Sequence, residues 1–203
     1  MGLFADLLAS PGVREESELR STFGFMAFHG GNLEVATDVI AREAAERSGS
    51  SYYGVLQPLD LRWHIPSIAI TPTESTQLAT FVDHVDVVVA IHGYGRDGFW
   101  TSLLLGGTNR SLAAAIAADL RESHPDYTHL DSLDDIPSEL RGQHARNPCN
   151  LTSGGGVQLE LPPRIRGNTP HWNDWAGPGH PPPMESLIAT LASVARQWST
   201  PVG

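Results

Sequence analysis

The sequence contains no lysine. All thirteen of its basic residues are arginine, set against 23 acidic residues for a net charge of -10 over 203 positions. This balance disfavours sequence-independent nucleic-acid binding, which works by neutralising phosphates. Lysine and arginine exchange easily on a surface, so the bias points to a GC-rich genome rather than to a mechanism. Cysteine is nearly missing as well: the lone Cys149 excludes an intramolecular disulfide and any cysteine-cluster metal site, so a metal would have to be held by histidine and carboxylate. No apolar run approaches the roughly 20 residues that a bilayer requires. The longest, residues 85–91, contains Asp86, and no membrane partner is expected. Residues 1–12 have no basic region, and Asp6 breaks their apolar stretch, so no secretory signal is expected. The chain is expected to be cytoplasmic as synthesised, although release by lysis would leave no mark. Solenoid repeats and low-complexity tracts are absent apart from the Pro/Gly-rich residues 177–183.

What is present suits one globular domain over residues 1–203: 40% hydrophobic and 18% charged residues can build a sizeable core. Residues 23–28 predict a strand, followed by Gly30-Gly31 and a helix over about 33–47, with Asn32 as N-cap and Gly49 as the stop. The β-branched run at 85–91 has the character of a strand buried on both faces and ends at His92-Gly93. A short apolar run at 103–105 precedes an Ala-rich helix at 111–122. Residues 157–161 alternate, sending Val157, Leu159 and Leu161 one way and Gln158 and Glu160 the other; residues 184–198 form an amphipathic helix. Strands interleaved with helices predict an α/β fold, a mixed, largely parallel sheet with helices on both faces. Ligands of such sheets sit beyond the carboxyl ends of the strands, where His29, His92 and Glu160 recur.

His29 and Glu34 are five residues apart, a step of about 140° on one helix, so a continuous helix could not direct both at one ion. A strand end followed by Gly-Gly lets the chain reverse, and Glu34 in the first turn of the next helix can then point back at His29. With His92 these residues make a His, Glu, His set of the kind that holds catalytic zinc and leaves a fourth position open. The alternative is that each histidine is a hydrogen-bonded strand-end residue and Glu34 complements a helix dipole. Glu160, on the polar face of its strand, suits a general base beside a metal-bound water; a half-exposed strand carboxylate is the plainer reading.

Taken together, His29-Gly30-Gly31 with Glu34, His64-Ile65-Pro66-Ser67, Ala90-Ile91-His92-Gly93, Gly106-Gly107 and Gly156-Val157-Gln158-Leu159-Glu160-Leu161 resemble the phage-type poly-gamma-glutamate hydrolase family, over about residues 20–166. That family is similar in fold to the zinc carboxypeptidases. The resemblance implies a zinc-dependent amidohydrolase, with one zinc on His29, Glu34 and His92 and Glu160 as the catalytic glutamate. Two departures bear on substrate identity: the family's third glycine is Asn32 here, and its His-Ile-Thr-Ser segment has Pro66 in place of threonine.

A γ-glutamyl polymer carries a free carboxylate on every unit, so arginine is expected along the groove. Arg110, at a predicted helix N-terminus, is the first candidate for substrate binding; Arg146, Arg164 and Arg166 follow. The overall negative charge is screened beyond about 8 Å, which leaves local arginines to decide. Residues 169–183, with His171, Trp172, Trp175 and His180, predict either a cover over the cleft with histidines that compete as ligands, or a surface loop packed on the core. Trp63 and Trp100 either line the groove or pack. Three alternatives remain open: cleavage of γ-D-glutamyl links in peptidoglycan stem peptides, cleavage of a small N-acyl amino acid, and a non-catalytic phage-associated module of the same fold.

Overall fold

The structure is a computed structural model that describes residues 2–167 and 177–198. Seven strands form one sheet: β1 (Arg14–Glu18), β2 (Phe23–Gly31), β3 (Ser51–Gln57), β4 (Val87–Gly93), β5 (Ser102–Leu105), β6 (Thr128–Leu130) and β7 (Gly156–Leu161). Their spatial order is β1-β3-β2-β4-β7-β5-β6. The β3–β2–β4–β7 block is parallel throughout, as is the β5–β6 pair, while β1 on β3 and β5 on β7 are antiparallel. The sheet is therefore mixed and largely parallel, as the alternation of strands and helices implied.

Among the described residues six α-helices flank it: α1 (Leu3–Leu8), α2 (Thr37–Ser48), α3 (Thr76–His84), α4 (Arg110–Ser123), α5 (Pro163–Arg166) and α6 (Pro182–Gln197). Period-two geometry divides the strands between two cores. Phe25 and Ala27 of β2, Val87, Val89 and Ile91 of β4, and Val157, Leu159 and Leu161 of β7 pack with α2, α4 and α6. Met26, Phe28, Val88 and Ala90 point the other way, onto α1 and α3. A β-branched run with no polar alternation is what a strand covered on both faces needs, and β4 supplies it.

The chain after β2 departs from the predicted helix over 33–47. Asn32 does not cap: its backbone N–H goes to the Gln57 carbonyl at 3.0 Å and its side chain donates to Leu59 O at 2.9 Å. Gly31, at φ 68°, passes so close to β3 that a Cβ there would lie 2.3 Å from Gln57 O. Residues 32–36 form turns, and α2 begins only at Thr37 behind Ala36, which holds a left-handed φ of 72°. Gly49 ends the helix as predicted. The predicted strand at 85–91 starts late, at Val87, because Val85 closes α3.

Candidate metal centre

β2, β4 and β7 are consecutive parallel neighbours, and they deliver His29, His92 and Glu160 to one end of the sheet. His92 and Glu160 are register partners across β4 and β7. Glu34 joins them from the turn after β2, where its N–H bonds back to the His29 carbonyl at 2.9 Å. That turn, rather than a helical first turn, aims the Glu34 carboxylate at the histidines.

Glu34 places one oxygen on each imidazole: Oε1 is 3.0 Å from His29 Nδ1, and Oε2 is 3.4 Å from His92 Nδ1 while also accepting the Gly93 N–H at 2.8 Å. The other His29 nitrogen, Nε2, lies 3.0 Å from the Ile65 carbonyl. A carbonyl only accepts, so Nε2 carries the hydrogen, and His29 Nδ1 meets a carboxylate with either a second proton or a lone pair that a cation would bridge. The two rings lie 5.1 Å apart by their centroids, and both are buried. Burial opposes ionisation of Glu34, but the positive charge available on His29 and His92, and their hydrogen bonds, outweigh it and hold the carboxyl below its ordinary range. For His92 burial again opposes the charged form, while Glu34 pulls the imidazole upward. Two imidazoles and one ionised carboxylate are ligand types that suit a divalent ion of the zinc type, although the set whose ligand atoms all meet within 4.8 Å contains His64 in place of His92.

His64 was not singled out as a ligand, yet it belongs to this cluster. Ligand atoms of His29, Glu34 and His64 all lie within 4.8 Å of one another, and the His64 ring is 4.8 Å from that of His29. His64 is exposed at the mouth, whereas His92 is enclosed and its Nε2 has no hydrogen-bond partner among the described residues.

Glu160 is not the half-exposed strand carboxylate of the plainer reading: it is 4% exposed. Burial first, and then the nearby Glu34 charge, push its carboxyl up to about 7, against the pull of His92 and of a hydrogen bond from Gln158. These groups open on a cavity of about 780 Å³ whose further walls include Ser67, Tyr94, Gln143, His144 and Asn147.

No arginine lines that cavity among the described residues. Arg110 is turned away from it: its guanidinium donates to the carbonyls of Leu105 at 2.9 Å, Gly107 at 3.1 Å and Asp131. It braces the loop before α4, and burial lowers its pKa. Arg166 is buried too, donating to Leu161 O, Val35 O and Tyr94 O at 3.1, 2.8 and 3.4 Å, which ties together the three segments that carry Glu160, Glu34 and His92. Arg164 lies over the Tyr127 ring. Two exposed arginines flank the centre instead. Arg62 lines a cavity of about 260 Å³ that shares Leu33, Glu34, Gly93 and Tyr94 with the central one. Arg146 lines another of about 580 Å³ that shares Ile68. Trp63 packs against the α1/α3 core, with its backbone held by the Gln57 side chain at 2.8 Å. His180 pairs with Glu43 of α2 rather than with the centre; His171, Trp172 and Trp175 lie outside the described residues.

Comparison with known proteins places this geometry. A family model described as poly-gamma-glutamate hydrolase matches residues 5–170. Among solved structures, a bacteriophage poly-gamma-glutamate hydrolase superposes with a TM-score of 0.76 at 18% identity, covering 95% of this chain and 93% of that one. A zinc-free apo form of YNDL gives 0.72 at 19% identity, over 90% and 88% of the two chains. A metallo-carboxypeptidase from Burkholderia cenocepacia gives 0.53 at 10% identity, over 96% of this chain and 68% of that one. A search of curated proteins finds no match. At these identities the superpositions establish the fold alone, an α/β fold shared with a bacteriophage poly-gamma-glutamate hydrolase and a metallo-carboxypeptidase.

Proposed function

The chain belongs to the poly-gamma-glutamate hydrolase family, and from that premise we propose that it is a zinc-dependent amidohydrolase that cleaves γ-glutamyl amide bonds, with His29, Glu34 and His92 as metal ligands and Glu160 as general base. The observation that carries this reading is the pair of Nδ1 atoms, from His29 and His92, facing separate oxygens of one partly buried carboxylate. His29, Glu34 and His92 would hold the zinc, which would supply Lewis acidity towards a water and the scissile carbonyl.

Glu160 takes the proton of the attacking water and returns it to the leaving amine. Burial pushes its carboxyl up to about 7 without a metal, and the charge of a bound zinc would lower it from there into a range in which it can both take and return a proton. His29 is held by the Ile65 carbonyl, which fixes the ring and leaves Nδ1 as its donor. His64, at the mouth, is placed to meet the substrate carbonyl or the approaching chain. The α-carboxylates of neighbouring glutamyl units are proposed to reach Arg62 and Arg146 in the adjoining cavities, since the central one offers no arginine among the described residues.

The test is hydrolysis of poly-γ-glutamate, α-linked polyglutamate and muropeptides by the zinc-loaded protein. Selective shortening of the γ-linked polymer is expected, and its removal by chelation. Cleavage of muropeptides alone would move the substrate to peptidoglycan stems, and no cleavage of any of them by protein holding stoichiometric zinc would overturn the reading.

A further inference from the structure

Behind Glu160 lies a file of polar side chains that the chemistry above does not use. Asn147, Gln158 and Glu160 are all 3–5% exposed. Asn147 Oδ1 accepts the backbone N–H of Cys149 at 3.2 Å, and Asn147 Nδ2 donates to Gln158 Oε1 at 2.7 Å. Gln158 Nε2 in turn donates to Glu160 Oε1 at 2.8 Å, with a longer bond to Leu140 O at 3.4 Å.

We infer that the Cys149 N–H, acting through the amides of Asn147 and Gln158, orients the Glu160 carboxylate and divides its labour, holding Oε1 as a permanent hydrogen-bond acceptor and reserving Oε2 for proton transfer. Asn147 and Gln158 are thus positioning residues for the base. This rests on the role proposed for Glu160.

A carboxamide is ambidextrous, and a glutamine beside a carboxylate can in principle present either its oxygen or its nitrogen. Here the choice is removed at both ends. A backbone N–H can only donate, so Asn147 must turn its oxygen to Cys149 and its nitrogen to Gln158. Gln158 must then offer its oxygen to Asn147 and its nitrogen to Glu160. The Leu140 carbonyl, which can only accept, enforces the same polarity on Gln158. Oε2 of Glu160 accepts no hydrogen bond from the described residues. Space for the file is provided by Gly142, where a Cβ would lie 2.6 Å from Gln158 Oε1. A carboxylate fixed by packed neighbours stays within the narrow geometry that proton transfer needs.

Reversing a file that merely satisfied buried polar groups would lower stability without a selective loss of kcat, so direction is what the experiment reverses. In Asn147→Asp the ionised side chain can still accept from Cys149 but offers Gln158 only an acceptor, which turns the glutamine oxygen towards Glu160; the comparison is made at a pH at which the introduced carboxyl is ionised, read from its carboxyl NMR shift. Asn147→Leu removes the instruction without reversing it. With zinc content and KM unchanged, kcat is expected to fall by roughly tenfold or more in Asn147→Asp and by only about two- to threefold in Asn147→Leu. Equal losses, or wild-type kcat in Asn147→Asp, would overturn the inference.

A second readout needs no turnover. In amide NMR of the zinc-free protein, the Gln158 side-chain protons are expected to exchange slowly with solvent and to shift in Glu160→Gln. Rapid exchange or no shift would also overturn it, even if Asn147→Asp failed to fold. If the wild-type protein did not cleave poly-γ-glutamate, the functional reading would fall while this spectroscopic result still decided the file.

Discussion

His92 stands directly opposite Glu160 across the parallel β4–β7 pair. Both side chains lie on the sheet face that Val88 and Ala90 share, opposite to the one that Val89, Ile91, Leu159 and Leu161 bury against the helices. A proposed ligand and the proposed base are therefore held by one hydrogen-bonded ladder, and their separation does not depend on any loop.

Two of the three histidines around Glu34, His92 and His64, are expected to behave differently on removal. His92→Ala should lower zinc affinity by about 100-fold or more, since it deletes an enclosed donor. His64→Ala should keep stoichiometric zinc and lose turnover. Metal analysis with isothermal titration separates them; loss of zinc in His64→Ala with retention in His92→Ala would transfer the ligand position to His64.

Glu160→Gln should retain zinc and lose most hydrolysis, yet stabilise the metal-free protein at alkaline pH. The folded pKa of Glu160, about 7, lies above its ordinary 4.5. A carboxyl raised in this way favours folding below its unfolded pKa, and that contribution is lost as pH rises through the folded value. At pH 8 the wild-type protein must bury a charge that the amide lacks, so denaturant unfolding should show a gain of about 1–3 kcal/mol, and no gain at pH 4. Equal stability at both pH values would remove Glu160 as a buried, strained acid.

Activity should climb with pH on the acid side as Glu160 gives up its proton. Its pKa of about 7 applies without a metal; a divalent ion nearby favours the carboxylate, so the limb of kcat/KM should fall below that value in the zinc enzyme. A profile in which activity falls from pH 5 to 7 would contradict a basic role.

Arg62→Ala and Arg146→Ala should each raise KM for the anionic polymer by about three- to tenfold, leave kcat within about twofold, and flatten the dependence of KM on salt. Steady-state kinetics at two ionic strengths tests this. Arg110→Ala, whose guanidinium braces backbone carbonyls, should instead lower stability.

How much of this was legible depends on whether the determinant was local. β2 announced itself by an aromatic-rich apolar run, β4 by a β-branched run and β7 by alternation, and the His-Gly endings of β2 and β4 marked one edge of the sheet. Asn32 had the chemistry of a helix cap but spends its N–H on Gln57, a contact across the sheet that no local rule contains. β3 escaped notice because Tyr52, Tyr53 and Gly54 give neither clean alternation nor a β-branched run, although every residue of the strand is buried. His64 sits in a loop, and what brings it to the centre is the fully packed Ile65 and the bond from His29 to the Ile65 carbonyl. Arg110 was chosen for the helix end it occupies, while its side chain folds back over the preceding loop. Asn147 gave no signal, since its partnership with Gln158 exists only after β7 has docked.

The chain between β4 and β7 builds β5, α4 and β6 at the far side of the sheet and returns with Gln143, His144 and Asn147 as one wall of the cavity. The proposed ligands and base, by contrast, stand on β2, β4 and β7 and on the turn after β2. Asn147 nevertheless reaches back through Gln158 to Glu160, so the wall and the carboxylate are mechanically joined. A lineage that exchanges the excursion therefore alters the shape of the cavity and the setting of Glu160 together.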